Sequence, residues 1–226
     1  MSELIVVTGA AGALGRAILE EFVGSGATVV ALDQAGDRLS SLTGRAGVYP
    51  LQVDLTDVVD VIRAWEQIDT LGTPTALICV AGAFAGGSID DTDPATLDAM
   101  LSINLASMLW SCQAATARMR KSGGGSIVTI GSRTGVSGSG PVAYAAAKAA
   151  VIRATEVLAD ELRPDRIRVN CVLPSVIDTP ANRTWMSADL VARAVSPAAI
   201  ARIVAFLCSA DAAPISGAAL PAYGDA

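Results

Sequence analysis

The chain contains no histidine. That absence removes Ser-His-Asp and Cys-His nucleophile pairs, histidine-ligated zinc and every mechanism that draws on imidazole near neutrality. Lysine is scarce as well, with only Lys121 and Lys148, and aromatic residues make up 4% of the chain. The four cysteines, Cys79, Cys112, Cys171 and Cys208, form no CxxC pair and no zinc-ribbon spacing. Free thiols in a core are the expectation, and no metal site is expected. Basic residues number 16 against 22 acidic ones, for a net charge of −6. There is no basic field to attract a nucleic-acid backbone or an anionic membrane. Met1-Ser2-Glu3 is acidic where a secretory leader is basic. The longest uncharged window, Ala99 to Ala117, is interrupted by Ser102, Asn104, Ser107, Ser111 and Gln113, so it reads as a buried helix of a soluble protein and not as a membrane span. A cytoplasmic location is expected.

What is present is abundant apolar material, 52% of 226 residues, enough for one well-buried domain over 1–226. Short β-branched runs recur at Leu4–Val7, Thr28–Leu32, Val48–Val53, Ala76–Val80, Ser126–Ile130 and Ile167–Leu173. Between them lie alanine-rich stretches of helical length, such as Ala13–Gly24, Asp57–Leu71, Pro94–Lys121 and Val142–Leu162. Strand and helix therefore alternate, which predicts an α/β fold with a doubly wound parallel sheet. The strand runs are continuously apolar, as strands covered on both faces must be. Gly123 to Gly125 fit a helix-to-strand turn.

The first strand leads into Thr8-Gly-Ala-Ala-Gly-Ala-Leu-Gly15. Glycines at 9, 12 and 15 permit a tight turn, close approach to a pyrophosphate and close packing of helix on strand. With Ala11, Ala13 and Leu14 they form a candidate cofactor loop at a helix N-terminus. Read alone, the loop also suits a plain strand-to-helix turn. Asp33 closes the next strand 18 residues after Gly15. A carboxylate there accepts both adenosine ribose hydroxyls and repels a 2′-phosphate, favouring NAD(H). A turn or cap residue is the plainer alternative for Asp33. No Gly-Lys-Ser/Thr follows the loop, which excludes a Walker phosphate site.

Tyr144 and Lys148 stand four apart in Tyr-Ala-Ala-Ala-Lys. Three tyrosines and two lysines scattered through the chain would produce that spacing about 0.03 times by chance. Helical geometry puts both on one face. An ammonium one turn from a phenol favours the phenolate and is expected to lower the tyrosine pKa, giving a proton donor and acceptor in place of histidine. An exposed helix with an amphipathic tyrosine and a solvated lysine is the bland alternative. Ser132 ends the fifth strand, 12 residues upstream of Tyr144. In a parallel sheet the strand C-termini line the ligand crevice, so Ser132 is expected to face a bound carbonyl beside the phenol.

Taken together, Thr8 to Gly15, Asp33, Asp54-Leu55, Ala81-Gly82, Asn104, Ser132, Tyr144 with Lys148, Pro174 with Ile177 and Thr179, and Ser216 to Gly224 resemble the short-chain dehydrogenase/reductase family along nearly the whole chain. The resemblance implies a Rossmann-type fold, a nicotinamide cofactor, and a homotetramer or homodimer. It implies a catalytic tetrad of Asn104, Ser132, Tyr144 and Lys148, with Tyr144 as general acid in reduction and Ser132 on the substrate oxygen. Lys148 would hold the nicotinamide ribose, and Asn104 would order a water in the proton relay. Asp54 would contact adenine, and Leu55, Ala81 and Gly82 would also bind the cofactor. Ile177 and Thr179 would contact the nicotinamide carboxamide, and Pro174 would also bind the cofactor. Cys79-Val-Ala-Gly82 and Ser175 depart from the usual family pattern, and with Gly12 to Gly15 they resemble the dihydropteridine reductase branch. The complete tetrad argues instead for a small carbonyl or alcohol substrate, with quinonoid pterin reduction as the alternative.

The segment 175–196, with Val176, Trp185, Met186 and Leu190, is expected to cover the substrate. A loop that packs its Trp and Met into the core fits the same residues. A non-catalytic NAD(H)-binding sensor is the competing class, since fold does not establish turnover. The uncharged faces of Ala99–Ala117 and Val142–Ala150 suit contacts between copies of the chain.

Overall fold

Seven strands, one more than the sequence pattern predicts, form a single parallel sheet in the computed structural model, which describes residues 3–34 and 36–225. Met1-Ser2, on which the leader argument partly rests, lies outside the described residues. The strands are β1 (Leu4–Thr8), β2 (Thr28–Asp33), β3 (Val48–Gln52), β4 (Ala76–Cys79), β5 (Gly125–Ile130), β6 (Ile167–Pro174) and β7 (Ala219–Ala222), in the spatial order β3-β2-β1-β4-β5-β6-β7. The chain reverses its winding direction between β1 and β4, and the crevice at that switch point is where an open α/β sheet binds ligands.

Helices cover both faces. On one side lie α1 (Ala13–Gly24), the short α2 (Asp37–Ser40) and, from the C-terminal part, α9 (Pro197–Cys208); on the other lie α3 (Val58–Asp69), α4 (Pro94–Leu101), α5 (Ser107–Ser122) and α6 (Val142–Glu161). Alternation along β1 shows the division: Leu4 and Val6 join the core beneath α3, α5 and α6, whereas Ile5 and Val7 join the core beneath α1 and α9. Successive strand side chains point to opposite faces, so the interior strands are mostly apolar on both, and the polar side chains buried in them are hydrogen-bonded, as Ser126 is to the Leu207 carbonyl and Asn170 to the Ile215 carbonyl.

The predicted helix Pro94–Lys121 is interrupted. Between α4 and α5 a π turn spans Ser102–Ala106, closed by the Ser107 amide donating to the Ser102 carbonyl. Such one-residue expansions are characteristic of functional positions. No helix among the described residues is long and apolar enough to cross a membrane. All four cysteines are free, with Cys79, Cys112 and Cys171 buried and Cys208 partly so. Gly123, left-handed at φ 89°, caps α5 and begins the turn into β5.

Both sheet edges carry a proline, Pro50 in β3 and Pro221 in β7. An edge strand tolerates proline because the missing N–H faces outward. β7 went unpredicted because Ala219-Leu-Pro-Ala222 has neither β-branched nor aromatic residues; pairing with β6, from Cys171 opposite Ala219 to Pro174 opposite Ala222, holds it in place.

The glycine loop is tight for steric reasons. Gly9 has φ 64°, and a Cβ there would come within 2.7 Å of the Ala81 amide nitrogen. A Cβ on Gly15 would overlap the Gly9 carbonyl oxygen, while one on Gly24, at the end of α1, would meet nothing. Gly15→Ala is therefore expected to lower stability by roughly 2–4 kcal/mol, as overpacking against backbone does, and Gly24→Ala to raise it by about 0.5 kcal/mol. Urea denaturation of the two variants checks both signs.

Candidate active site

The C-terminal ends of the strands open into a cavity of about 1250 Å³. Its floor is the β1–β4 switch point, where the Thr8 hydroxyl accepts hydrogen bonds from the Val80 amide at 3.1 Å and the Ala81 amide at 3.2 Å. This clamp draws the glycine loop and the Ala81-Gly82 turn together.

At one end of the cavity α1 begins with Gly12 as N-cap and with no side chain satisfying its first amides. A helix N-terminus left this way is a ready anion site. Gly9, Ala11, Gly12, Ala13, Leu14 and Gly15 all line the cavity, as does Asp33. The Asp33 carboxylate accepts from the Ala11 amide at 2.8 Å and the Gln34 amide at 2.8 Å. It thus both braces the loop and faces the cavity, with acceptor capacity left over, since a carboxylate offers about four lone-pair sites. Leu55, Ala81, Gly82, Pro174, Ile177 and Thr179 also line the cavity. Asp54 does not: its exposed carboxylate accepts from the Thr56 amide and hydroxyl, which lower its pKa. Of the residues assigned from sequence, Asp54 is the one whose side chain is spent on its own turn.

The other end gathers the four remaining residues. Tyr144 lies in the first turn of α6 and Lys148 one turn later, and Ser132 follows β5. Asn104 occupies the middle of the π turn. All four line the cavity. The buried Lys148 amine donates to the Ile130 carbonyl at 2.9 Å and lies 5.9 Å from the centre of the Tyr144 ring. The Ser132 hydroxyl is hydrogen-bonded with Thr134 Oγ1 at 2.9 Å. The Asn104 amide nitrogen donates to the Met100 carbonyl at 3.0 Å and the Ala83 carbonyl at 3.1 Å, while its buried Oδ1 has no partner among the described residues. Gly82 is open for this reason. A Cβ there would stand 2.7 Å from Asn104 Oδ1 and 3.4 Å from Lys148 Nζ.

Electrostatics correct one sequence expectation. The Tyr144 pKa is raised, not lowered: burial disfavours the phenolate, and a hydrogen bond with Ser132 only partly opposes it. The amine that was expected to lower it is turned toward Ile130 and is itself destabilised as a cation. Burial brings the Lys148 pKa down to about 8 from 10.5, with the neighbouring Cys171 thiol acting weakly the other way.

Beyond the tetrad, two features carry no signal in the sequence pattern. Phe84 lines the cavity, its ring meeting the Tyr144 ring edge-on at 5.0 Å. The Ile130 carbonyl anchors the Lys148 amine. In the segment 175–196, Ile177 bridges Val195 in parallel, and the Asp178 amide donates to the Val195 carbonyl at 2.8 Å. The two ends of the segment are thereby tied, leaving α7 (Pro180–Arg183) and α8 (Ala188–Arg193) on a flap between them. Trp185 is 61% exposed on that flap, so the alternative that packs it into the core is wrong.

The residues present fit a nicotinamide dinucleotide. Uncapped amides at α1, the Asp33 carboxylate, the Gly82 gap and the orphan Asn104 acceptor form a continuous cradle along one cavity. The comparisons agree. Residues 3–189 match the sequence model of the short chain dehydrogenase family. The "probable galactose dehydrogenase" of Rhizobium meliloti (strain 1021) is 33% identical over 200 residues, covering 84% of this chain and 77% of that protein. The crystal structure of an oxidoreductase of the short chain dehydrogenase/reductase family from Burkholderia thailandensis superposes with a TM-score of 0.91 at 32% identity, covering 99% of this chain and 92% of that one. A 3-ketoacyl-(acyl-carrier-protein) reductase from Brucella melitensis, solved with NADH, gives a TM-score of 0.90 at 25% identity over 98% of this chain and 97% of that one.

The buried lysine predicts a stability signature. Below pH 8 Lys148 is charged in both the folded and unfolded chain, and folding bears the full cost of burying the charge. Between pH 8 and 10.5 the folded chain has released the proton and the unfolded chain still holds it, so the cost fades as pH rises. Lys148→Met is expected to be more stable than the parent near pH 7, by on the order of 2 kcal/mol, and to lose that advantage by about pH 10. Thermal melts across that range check the convergence; an advantage that does not change with pH would contradict it.

Proposed function

The chain belongs to the short-chain dehydrogenase/reductase family, and we propose that it is an NAD(H)-dependent oxidoreductase acting on a small carbonyl or alcohol substrate. One observation carries the reading: Asn104, Ser132, Tyr144 and Lys148, drawn from the π turn, the end of β5 and α6 and spread over 45 residues of sequence, line the same end of one cavity. A structural role for the glycine loop and Asp33 alone would not require that convergence. It also supports turnover over a silent sensor, and carbonyl chemistry over reduction of a quinonoid pterin, which needs less polarisation of an oxygen.

When bound, the nicotinamide supplies or accepts the hydride at the substrate carbon. The protein's part is geometry and a proton. Ser132 exchanges its contact with Thr134 for the substrate oxygen, and Tyr144 donates its proton to that oxygen in reduction. Its raised pKa keeps the phenol protonated at neutral pH, the form that reduction requires. Lys148 holds the ribose and refills the proton through a water received by Asn104 Oδ1, the acceptor that otherwise has no donor. The tied flap between Ile177 and Val195 covers the substrate and excludes water. We place the enzyme in the cytoplasm, where unpaired thiols persist, as a homodimer or homotetramer built on the half-exposed apolar faces of α5 and α6.

Asp33 supports NAD(H). Arg16 near the same end is committed to the Ala11 and Arg38 carbonyls and to Ser41, whereas Arg38, which also lines the cavity, enters those bonds through its carbonyl and not its side chain. Asp33→Ala is expected to raise kcat/KM for NADPH at least tenfold, and Arg38→Ala in that background to cancel the gain; a parent enzyme that already prefers NADPH would refute the assignment.

Tyr144→Phe is expected to lose turnover by 100-fold or more (about 10²–10⁴ for a general acid) with NADH affinity retained, measured by fluorescence titration beside steady-state rates. In the parent, carbonyl reduction should fall as pH rises through about 8, where Lys148 gives up its proton, and alcohol oxidation should rise over the same range. A reduction rate independent of pH from 6 to 10 would remove Lys148 from the proton path.

A further inference from the structure

Aromatic residues are few, and Phe84 is spent in an unusual way. Phe22 is buried in α1, but Phe84 is 65% exposed on the cavity wall. Its ring meets the Tyr144 ring at 71° with 5.0 Å between centres, an edge-to-face contact. An apolar ring held open to water beside the proton donor is a surface that an apolar ligand stabilises by covering.

Charge is distributed unevenly along the same cavity. Among its described lining residues Arg16, Asp33, Asp37 and Arg38 lie around the end of β2, and the one charged group at the Tyr144 end is Lys148, bound to the Ile130 carbonyl. Apart from Asn104 Oδ1, polar groups on the flap side of the cavity are similarly engaged. The Ser175 hydroxyl donates to the Tyr223 carbonyl, and the Asn182 side-chain Nδ2 donates to the Ile177 carbonyl at 2.9 Å. Asp178 and Arg183, at the base of the flap, pair with each other through two hydrogen bonds. Arg133, adjacent to Ser132 in the chain, lies over the Tyr223 ring. A polyhydroxylated substrate would find few unengaged partners here, and unpaired polar groups in a site are a strong penalty. Among the described lining residues, a carboxylate or phosphate would find at this end only the Lys148 amine, already bound to the Ile130 carbonyl.

We infer that Phe84 is a specificity-determining residue, selecting neutral carbonyl compounds or secondary alcohols that carry a flat apolar group on the reacting carbon. That group packs on the Phe84 ring while the oxygen meets Ser132 and Tyr144. The inference rests on the oxidoreductase reading and sets this chain apart from the relative named for galactose.

The test compares acetophenone with dihydroxyacetone as substrates for NADH oxidation, in the parent and in Phe84→Ala, Phe84→Leu and Phe84→Ser. Phe84 lies on an exposed loop, so the variants are expected to fold. The parent should favour the aryl ketone at least 100-fold in kcat/KM. Phe84→Ala and Phe84→Ser should cut that preference about tenfold or more, mainly through KM, and Phe84→Leu should keep part of it. Equal or faster turnover of dihydroxyacetone, or a preference unchanged in Phe84→Ala, overturns the inference and leaves the oxidoreductase reading standing. NADH oxidation with neither ketone counts against the reaction, and calorimetry then decides the wall separately. With NADH present, 1-phenylethanol should bind more tightly than glycerol, with a negative heat-capacity change that Phe84→Ala diminishes; glycerol binding as tightly overturns the inference.

Discussion

An amine buried between a helix and the end of a strand must keep an oxygen partner, because an ammonium held out of water without one is driven toward neutrality. The Ile130 carbonyl is that partner for Lys148, and the bond joins α6 to the end of β5. Other distances in the site follow from it. Tyr144 is one turn back on the same helix, Ser132 two residues beyond Ile130, and Asn104 faces the amine across the space kept open at Gly82. The protein tolerates a costly cation because the Tyr144 end of the cavity is organised around it. The depressed pKa is the mark of that cost.

The cavity has two chemically distinct ends. Around β2 the backbone amides, Asp33 and the neighbouring arginines make a polar bed suited to phosphates and ribose, and the Thr8 clamp keeps it aligned with the switch point. Around Tyr144 few charged groups line the walls, and most polar atoms are already paired, Asn104 Oδ1 being the exception. A ligand spanning both ends would be held firmly by its nucleotide half, while its reactive half lies where a low dielectric strengthens the few hydrogen bonds available.

Much of this was legible in the residues because the relevant signals are local. Continuous apolar runs located six strands, and the four-residue spacing put Tyr144 and Lys148 on one helical face whatever the tertiary structure. Three features depend on contacts that spacing does not encode. The π turn at Asn104 is stabilised by the Ala83 carbonyl from a distant loop, so a uniform apolar window gave no hint of it. The sign of the Tyr144 shift is decided by depth of burial and by the direction of the Lys148 amine, neither of which is a property of sequence interval. β7 forms because β6 offers an unpaired edge, not because Ala219-Leu-Pro-Ala222 prefers extended backbone.

The prolines at the two margins have a consequence for how copies of this chain meet. Strand addition requires a run of outward N–H donors, and with strands only five and four residues long the loss of one donor removes a large share of each run. Neither margin is a good template for a continuous sheet through neighbouring molecules or for fibrillar stacking. Whatever assembly the chain adopts is therefore built from side chains on its helical flanks, where partners can be chosen by shape and can separate again.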